Sequence, residues 1–477
     1  MTDLRSQKVG WRTAAIYGIG AIGSAGKSVP MTTFLMLYYN QVVGLPALTV
    51  SAVLTLSLML DAIFDPAIGQ LSDNFRSRWG RRLPFMYASA LPVSALFVAM
   101  WLPPAGWSHG ALTAYLAACV IGIRLFDTFF DLPHAALIPE MTGDYDERTR
   151  MFTLRALFEA AGGMVIMALA YNVFMEQNPD GSGGLLDRQG YPGFAWFTGG
   201  LILIALLICT VGLHRRLPPA TAAAPRRLAL PGPLREMGAT LGSRSFIVLA
   251  LAAMFIAIES GIGSALNIYW LIYFYEFSQT QMTVLALPVM LGMLIATATP
   301  RLTRAFGKRN AVIALLWCQG AVTSLPLMAR LLDWIPAASP ALMVMVGVQS
   351  ALGAAGMVMI LTVLASMMAD QVEDAELRTG RRSEGLLLAA NSLVRKAMQG
   401  LGTLGAGLIL TIVDFPQGVE RSEMPMQVLL DMGWLVLALG IMFMLLTSAT
   451  LLLYRSDRAA HEANLAALRM RGGGSRI

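Results

Sequence analysis

The chain has 477 residues, of which 56% are hydrophobic and only 13% charged, against about 25% charged in a soluble globular chain. With a mean hydropathy of +0.61, that excludes an ordinary water-soluble domain and points to a polytopic membrane protein. The net charge of +6 would suit nucleic acid, but the basic residues are gathered into alternate loops between apolar segments, which is the pattern of cytoplasmic loops and excludes that partner.

A membrane-crossing helix needs about 20 apolar residues. About twelve segments meet that length, at 12–39, 47–71, 83–103, 111–138, 152–174, 193–213, 246–275, 281–299, 310–333, 338–369, 385–413 and 429–454. The first is long, lacks a cleavage site and reads as a retained helix rather than a signal peptide. Arg5, Lys8 and Arg12 precede it; Arg76, Arg78, Arg81 and Arg82 follow the second; Arg148, Arg150 and Arg155 follow the fourth. Further groups follow the sixth, eighth, tenth and twelfth segments, so both termini are expected in the cytoplasm. The three cysteines, Cys119, Cys209 and Cys318, lie in apolar segments without metal spacing or a disulfide pattern.

A linker rich in Pro, Ala and Arg follows the sixth segment. It divides the chain into a six-helix bundle at 1–214, a cytoplasmic linker at 215–245, a second bundle at 246–455 and a tail at 456–477. The tail reads as a short amphipathic helix to about Met470. A weak repeat supports two halves: Gly80-Arg81-Arg82 recurs as Gly307-Lys308-Arg309, and Arg148-Thr149 recurs at nearly the same offset as Arg378-Thr379. Duplicated halves of this kind place a substrate site between them near the midplane. Gly353, Gly356, Gly400, Gly402, Gly405 and Gly407 are expected at close helix contacts.

The chemistry begins in the second segment, where Asp61 and Asp65 stand four apart on one helix face within an apolar run, followed by Pro66. A carboxylate at bilayer depth costs about 2.5 to 3.5 kcal/mol. Two of them call for a bound cation, a titrating proton or a buried basic partner. Pro66 also frees a carbonyl one turn earlier. In the fourth segment Arg124, Asp127 and Asp131 share a face. Arg124 and Asp127 are read as neutralising each other, leaving Asp131 as the ligand or coupling residue, and His134 is read as hydrogen-bonded structure. In the eleventh, Asn391, Arg395, Lys396 and Gln399 recur at helical spacing. One of the two adjacent cations points inward and the other snorkels, and Lys396 is placed as a partner of Asp61 or Asp65 that competes with the coupling ion. Lys27 and Arg155 add positive charge; the sequence assigns no role to Glu159 or Glu259. Asp73, Arg78, Arg81, Arg82 and Arg148, at the cytoplasmic helix ends, are read as gating ion pairs.

These motifs, Asp61-x-x-x-Asp65-Pro66 through Asp73-Asn74 and Arg78-Trp79-Gly80-Arg81, resemble the glycoside–pentoside–hexuronide:cation symporters of the major facilitator superfamily. Tyr38-Tyr39-Asn40-Gln41-Val42-Val43-Gly44-Leu45, Asp131-Leu132-Pro133, Asp144-Tyr145-Asp146-Glu147-Arg148-Thr149-Arg150 and Glu376 through Gly385 extend the resemblance over nearly the whole chain. It implies an all-α integral membrane protein with twelve transmembrane helices in two six-helix pseudo-symmetric bundles, the major facilitator fold. It implies that Asp61, Asp65 and Thr128 hold the cation, that Asp131 touches both cation and sugar, that Arg155 contacts sugar and that Lys396 lies between the sites. The chain departs from the galactoside-binding members at Ala25, where they carry an acid, and at Ala135, where they carry a Trp.

The sequence therefore predicts a monomeric, multi-pass protein of the inner or plasma membrane that imports a sugar, glycoside or sugar acid with Na⁺ or H⁺ and uses no cofactor. Asp131, Arg155, Lys27 and Asn391 are its substrate-site candidates. The three bases Lys27, Arg155 and Lys396 suit an anionic cargo such as a hexuronide. Vertebrate lysophospholipid symporters resemble the same family, so a lysolipid is the alternative cargo. A membrane enzyme or non-transporting sensor is the remote alternative; it is opposed by the lack of metal-ligand spacing and of a sizeable soluble domain.

Overall fold

The computed structural model describes residues 9–177, 183–216, 244–379, 384–419 and 421–454. The tail after 454, most of the linker and part of the Glu376–Gly385 motif lie outside them, as do the side chains of 371–392, Asn391 and Arg378 among them.

The described chain is almost wholly helical. The long helices are α1 (Trp11–Thr33), α2 (Ala47–Asn74), α3 (Leu83–Met100), α4 (His109–Met141), α5 (Tyr145–Leu169) and α6 (Gly190–His214). They continue as α7 (Arg244–Tyr269), α8 (Gln279–Phe306), α9 (Lys308–Leu331), α10 (Pro340–Thr379), α11 (Glu384–Ile412) and α12 (Met426–Leu452). Ten of them, all but α1 and α11, are long and apolar enough over their described residues to cross a membrane. The other two carry the polar residues Lys27 and Lys396 within their length.

Several helices run past the predicted apolar limits because polar caps extend them. Ser108 Oγ accepts from Ala111 N at the start of α4, and Asp144 Oδ1 accepts from Glu147 N at the start of α5. Pro66 lies inside α2 without ending it. Of the glycines expected at close contacts, Gly402 meets the prediction: a Cβ there would stand 2.1 Å from the Ile258 carbonyl oxygen, so α7 and α11 approach backbone to backbone. Gly353 does not, since a Cβ there would meet nothing within 4 Å.

The chain divides into two compact units. The first holds α1 to α6 together with Ser264–Tyr269 and Phe415–Met424; the second holds the rest of α7 to α12. In the first, α1 packs on α5 and α6, α2 on α4, and α3 on α4 and α6; in the second, α8 packs on α10, and α9 on α10 and α12. Shifting each helix number by six carries the second set onto members of the first.

The repeat extends to backbone detail. A π-helical turn at Tyr38–Val42 follows α1, and its counterpart at Trp270–Phe274 follows α7. In each, the amide that closes the turn bonds five residues back, Val43 to Tyr38 and Tyr275 to Trp270. A left-handed residue then reverses the chain: Gly44 at φ 85° and Glu276 at φ 57°.

The Tyr38–Gln41 motif turns out to be structural. Tyr38 Oη and Tyr39 Oη donate to the carbonyls of Trp101 (3.0 Å) and Met100 (2.7 Å), and the Tyr38 ring packs on Trp101 and Tyr191. Asn40 Oδ1 accepts from Tyr269 Oη (3.1 Å) and Gln41 Nε2 donates to the Pro416 carbonyl (3.1 Å), which holds the two added segments to the first unit.

Candidate functional site

The first unit encloses a polar layer in an apolar bundle. α4 supplies two parallel ridges at four-residue spacing, Arg124 with Thr128 and Asp127 with Asp131. The first ridge meets α2 and the second meets α1.

On the α2 side, Thr128 Oγ1 lies 3.4 Å from Asp61 Oδ1 and 3.4 Å from Asp65 Oδ1, and 3.0 Å from the carbonyl of Arg124 one turn back. A hydroxyl has one proton. Its shortest acceptor is the Arg124 carbonyl, so its lone pairs face two carboxylates. Asp61 is 7% exposed. Three oxygens crowded at that depth are stable with positive charge among them. Arg124 Nη1 approaches Asp61 Oδ2 only to 3.9 Å, at the limit of ion-pair contact. The donor set is all oxygen and anionic, which fits Na⁺ or a proton.

On the α1 side, the expected neutralisation of Asp127 by Arg124 is not what forms. Lys27 pairs with Asp127 instead, and Arg124 turns to Asp61. Residues 124 and 127 lie on adjacent ridges, so they diverge toward different neighbours. Asp131 is held by three groups: Ser24 Oγ donates to its Oδ1 (2.8 Å), Arg155 Nη2 stands 3.6 Å from the same oxygen, and Lys27 Nζ stands 3.9 Å from Oδ2. Lys27 is 2% exposed and thus engaged by protein acids rather than presented as an open base. Ser24 was not among the sequence candidates; serines are too common in helices to stand out.

His134 is fully buried, stacks on Tyr17 at 4.0 Å and shares a hydrogen bond with the Tyr17 carbonyl (3.1 Å), as its structural reading expects. Gly20 makes room for it: a Cβ there would stand 3.1 Å from His134 Nε2. Glu159 is half-buried one turn beyond Arg155 on α5, and Glu259 is half-buried on α7. Lys396 and Asn391 stand on α11, in the second unit; Lys396 is half-buried while its neighbour Arg395 is exposed, the split expected for two adjacent cations.

Among the residues expected to form gating ion pairs, the centre is an acid that the sequence reading passed over. Glu140, at the end of α4, accepts from Arg81 Nε (3.0 Å) and Arg82 Nε (2.8 Å), while Arg82 Nη2 stands 3.5 Å from Asp73. Arg148 Nε donates to the Thr142 carbonyl (3.0 Å), and the Arg78 guanidinium lies 5.5 Å from the centre of the Trp79 ring. The second unit repeats the pair: Lys308, the counterpart of Arg81 in the sequence repeat, donates to Asp370 (2.7 Å), which stands at the position corresponding to Glu140. That shared register was the available signal for Glu140.

Comparisons with known proteins bear on the family and the fold. An uncharacterized symporter of Synechocystis sp. is 36% identical over 184 residues, 37% of this chain and about a third (34%) of that protein. The glucuronide carrier protein homolog of Escherichia coli is 24% identical over 92% of this chain and 93% of its own. The isoprimeverose transporter of Lactiplantibacillus pentosus is 22% identical over 90% and 85%. A crystal structure of a bacterial homolog of the human lysosomal transporter Spinster shares the fold, with a TM-score of 0.63 at 14% identity over 94% of this chain and 98% of that one. All four are named as symporters, carriers or transporters or as homologs of one. The family described as MFS/sugar transport protein matches residues 16–458. The chain belongs to that family, and within it to the glycoside–pentoside–hexuronide:cation symporters of the major facilitator superfamily.

Proposed function

We propose that this protein is a symporter that imports a sugar, glycoside or sugar acid together with Na⁺ or H⁺ by alternating access, with both termini in the cytoplasm. The observation that carries the reading is the convergence of Thr128 Oγ1 on Asp61 and Asp65, 3.4 Å from each. A mobile cation relieves that crowding, and its entry orders α2 against α4. Asp131 lies one helical turn beyond Thr128 on α4, with Ser24 and Arg155 around it. A hydroxyl-rich or anionic substrate meeting Arg155 and Asp131 is therefore coupled to the ion through α4, and each ligand raises the affinity of the other. The names of the full-length relatives, a glucuronide carrier homolog and an isoprimeverose transporter, support a sugar or sugar acid over a lysolipid.

A thermal-shift screen of neutral glycosides, hexuronides and lysolipids, each with and without Na⁺ and at two pH values, tests the assignment. The expected result is a cation-dependent rise in melting temperature that is enhanced by one sugar class and abolished in Asp61→Asn. A full cation response in that variant, or stabilisation by lysolipid alone, contradicts it.

A further inference from the structure

The second ridge of α4 poses a separate question, because Asp127 and Asp131 are also two carboxylates four residues apart in a membrane-spanning helix. Resting on the cation reading of Asp61 and Asp65, we propose that Lys27 is a built-in cation: its ammonium takes the place between Asp127 and Asp131 that a solution ion would otherwise occupy, and so confines the mobile coupling ion to the Asp61–Asp65 ridge.

The geometry of α1 carries this. Lys27 Nζ pairs with Asp127 and stands 3.9 Å from Asp131 Oδ2. Its side chain is 3% exposed, so it does not reach solvent or lipid headgroups. The other oxygen of Asp131 is taken up by Ser24 and by Arg155. An ammonium on a four-carbon stem is a compact monovalent charge. Fixed to α1, it faces the two acids at a high effective concentration, against which an ion at millimolar concentration competes poorly. The two ridges of one helix thus meet the same demand in two ways: a tethered charge toward α1 and an exchangeable one toward α2. Lys27 is thus not a ligand for the substrate but a residue that sets where ions bind and how many do.

Removing the tethered charge leaves the half-buried Asp127 without its partner, and a cation from solution is the nearest remedy. The experiment follows the melting temperature of the purified full chain in NaCl, LiCl and choline chloride at constant ionic strength, and in choline chloride at falling pH. Asp61→Asn alone should show no cation response. Lys27→Gln in the Asp61→Asn background should regain a saturable one, and adding Asp127→Asn should remove it again. A folded Lys27→Gln/Asp61→Asn protein that ignores every cation overturns the proposal, as does a response that survives Asp127→Asn. Should that double variant not fold, Asp127→Asn in the Asp61→Asn background decides: with Lys27 still beside Asp131 it should gain no cation response, and gaining one overturns the proposal. Failure of the Asp61–Asp65 reading is distinguishable, because it shows in the wild-type protein as a cation response absent or insensitive to Asp61→Asn.

Discussion

At the scale of single residues, the decisive quantity is how many charges and lone pairs converge on one point inside an apolar bundle. Thr128 has one proton and three oxygen neighbours, so at least two of its contacts are lone pair against lone pair, and at least one of these is with a carboxylate. Thr128→Val keeps the shape and removes the oxygen. It should weaken cation affinity about tenfold, or about 1.4 kcal/mol, while the protein still folds, and a cation titration of the melting temperature reads this directly. Asp61 and Asp65 were legible in the sequence because a carboxylate in an apolar run has few explanations. The partner of Asp127 was not. Which cation reaches it depends on the register of α1 against α4, a tertiary property that Arg124, three residues away in sequence, could only mimic. Glu140 was missed for the opposite reason: an acid at a helix end beside a loop is ordinary, and in the sequence only its repeat register with Asp370 marks it out.

At the scale of elements, helix ends rather than helix centres hold the two matching ion-pair clusters. Glu140 gathers Arg81 and Arg82 at the junction of α2, α3 and α4, and Asp370 gathers Lys308 at the corresponding junction of α8, α9 and α10. Arg82 is 9% exposed, so losing the Glu140 charge leaves a largely desolvated guanidinium with the longer 3.5 Å approach to Asp73 to balance it. Glu140→Gln should lower stability by about 1 to 3 kcal/mol, measured as a fall in melting temperature. Unchanged melting would mean that the arginines find other acceptors. The helix limits themselves were legible to within a few residues except where a cap or a polar extension carried the helix past the apolar run, as at α5 and α10, because hydropathy measures the membrane and not the hydrogen-bond ladder.

At the scale of the whole molecule, the two halves repeat in helix pairing, in the π-helical turns after α1 and α7 and in the ion pairs at the helix ends. The sequence repeat alone was a pair of short matches; the backbone makes it firm, since Gly44 and Glu276 share a left-handed conformation although their side chains have nothing in common. The proposed orientation follows from the basic loops. In a Cys318→Ser background, Ala105→Cys between α3 and α4 should react with a membrane-impermeant maleimide on intact cells. Arg76→Cys between α2 and α3 should react only after permeabilisation, and the reverse pattern inverts the topology.

The most direct test of the coupling is the affinity for the best sugar found in the screen, measured by calorimetry with and without the coupling ion in wild-type protein and in Asp61→Asn. The account predicts that the ion raises wild-type affinity by about 5- to 150-fold, the usual span of such linkage, and leaves the variant's affinity unchanged. Equal sugar affinity with and without the ion in the wild-type protein, or an undiminished increase in Asp61→Asn, would contradict it.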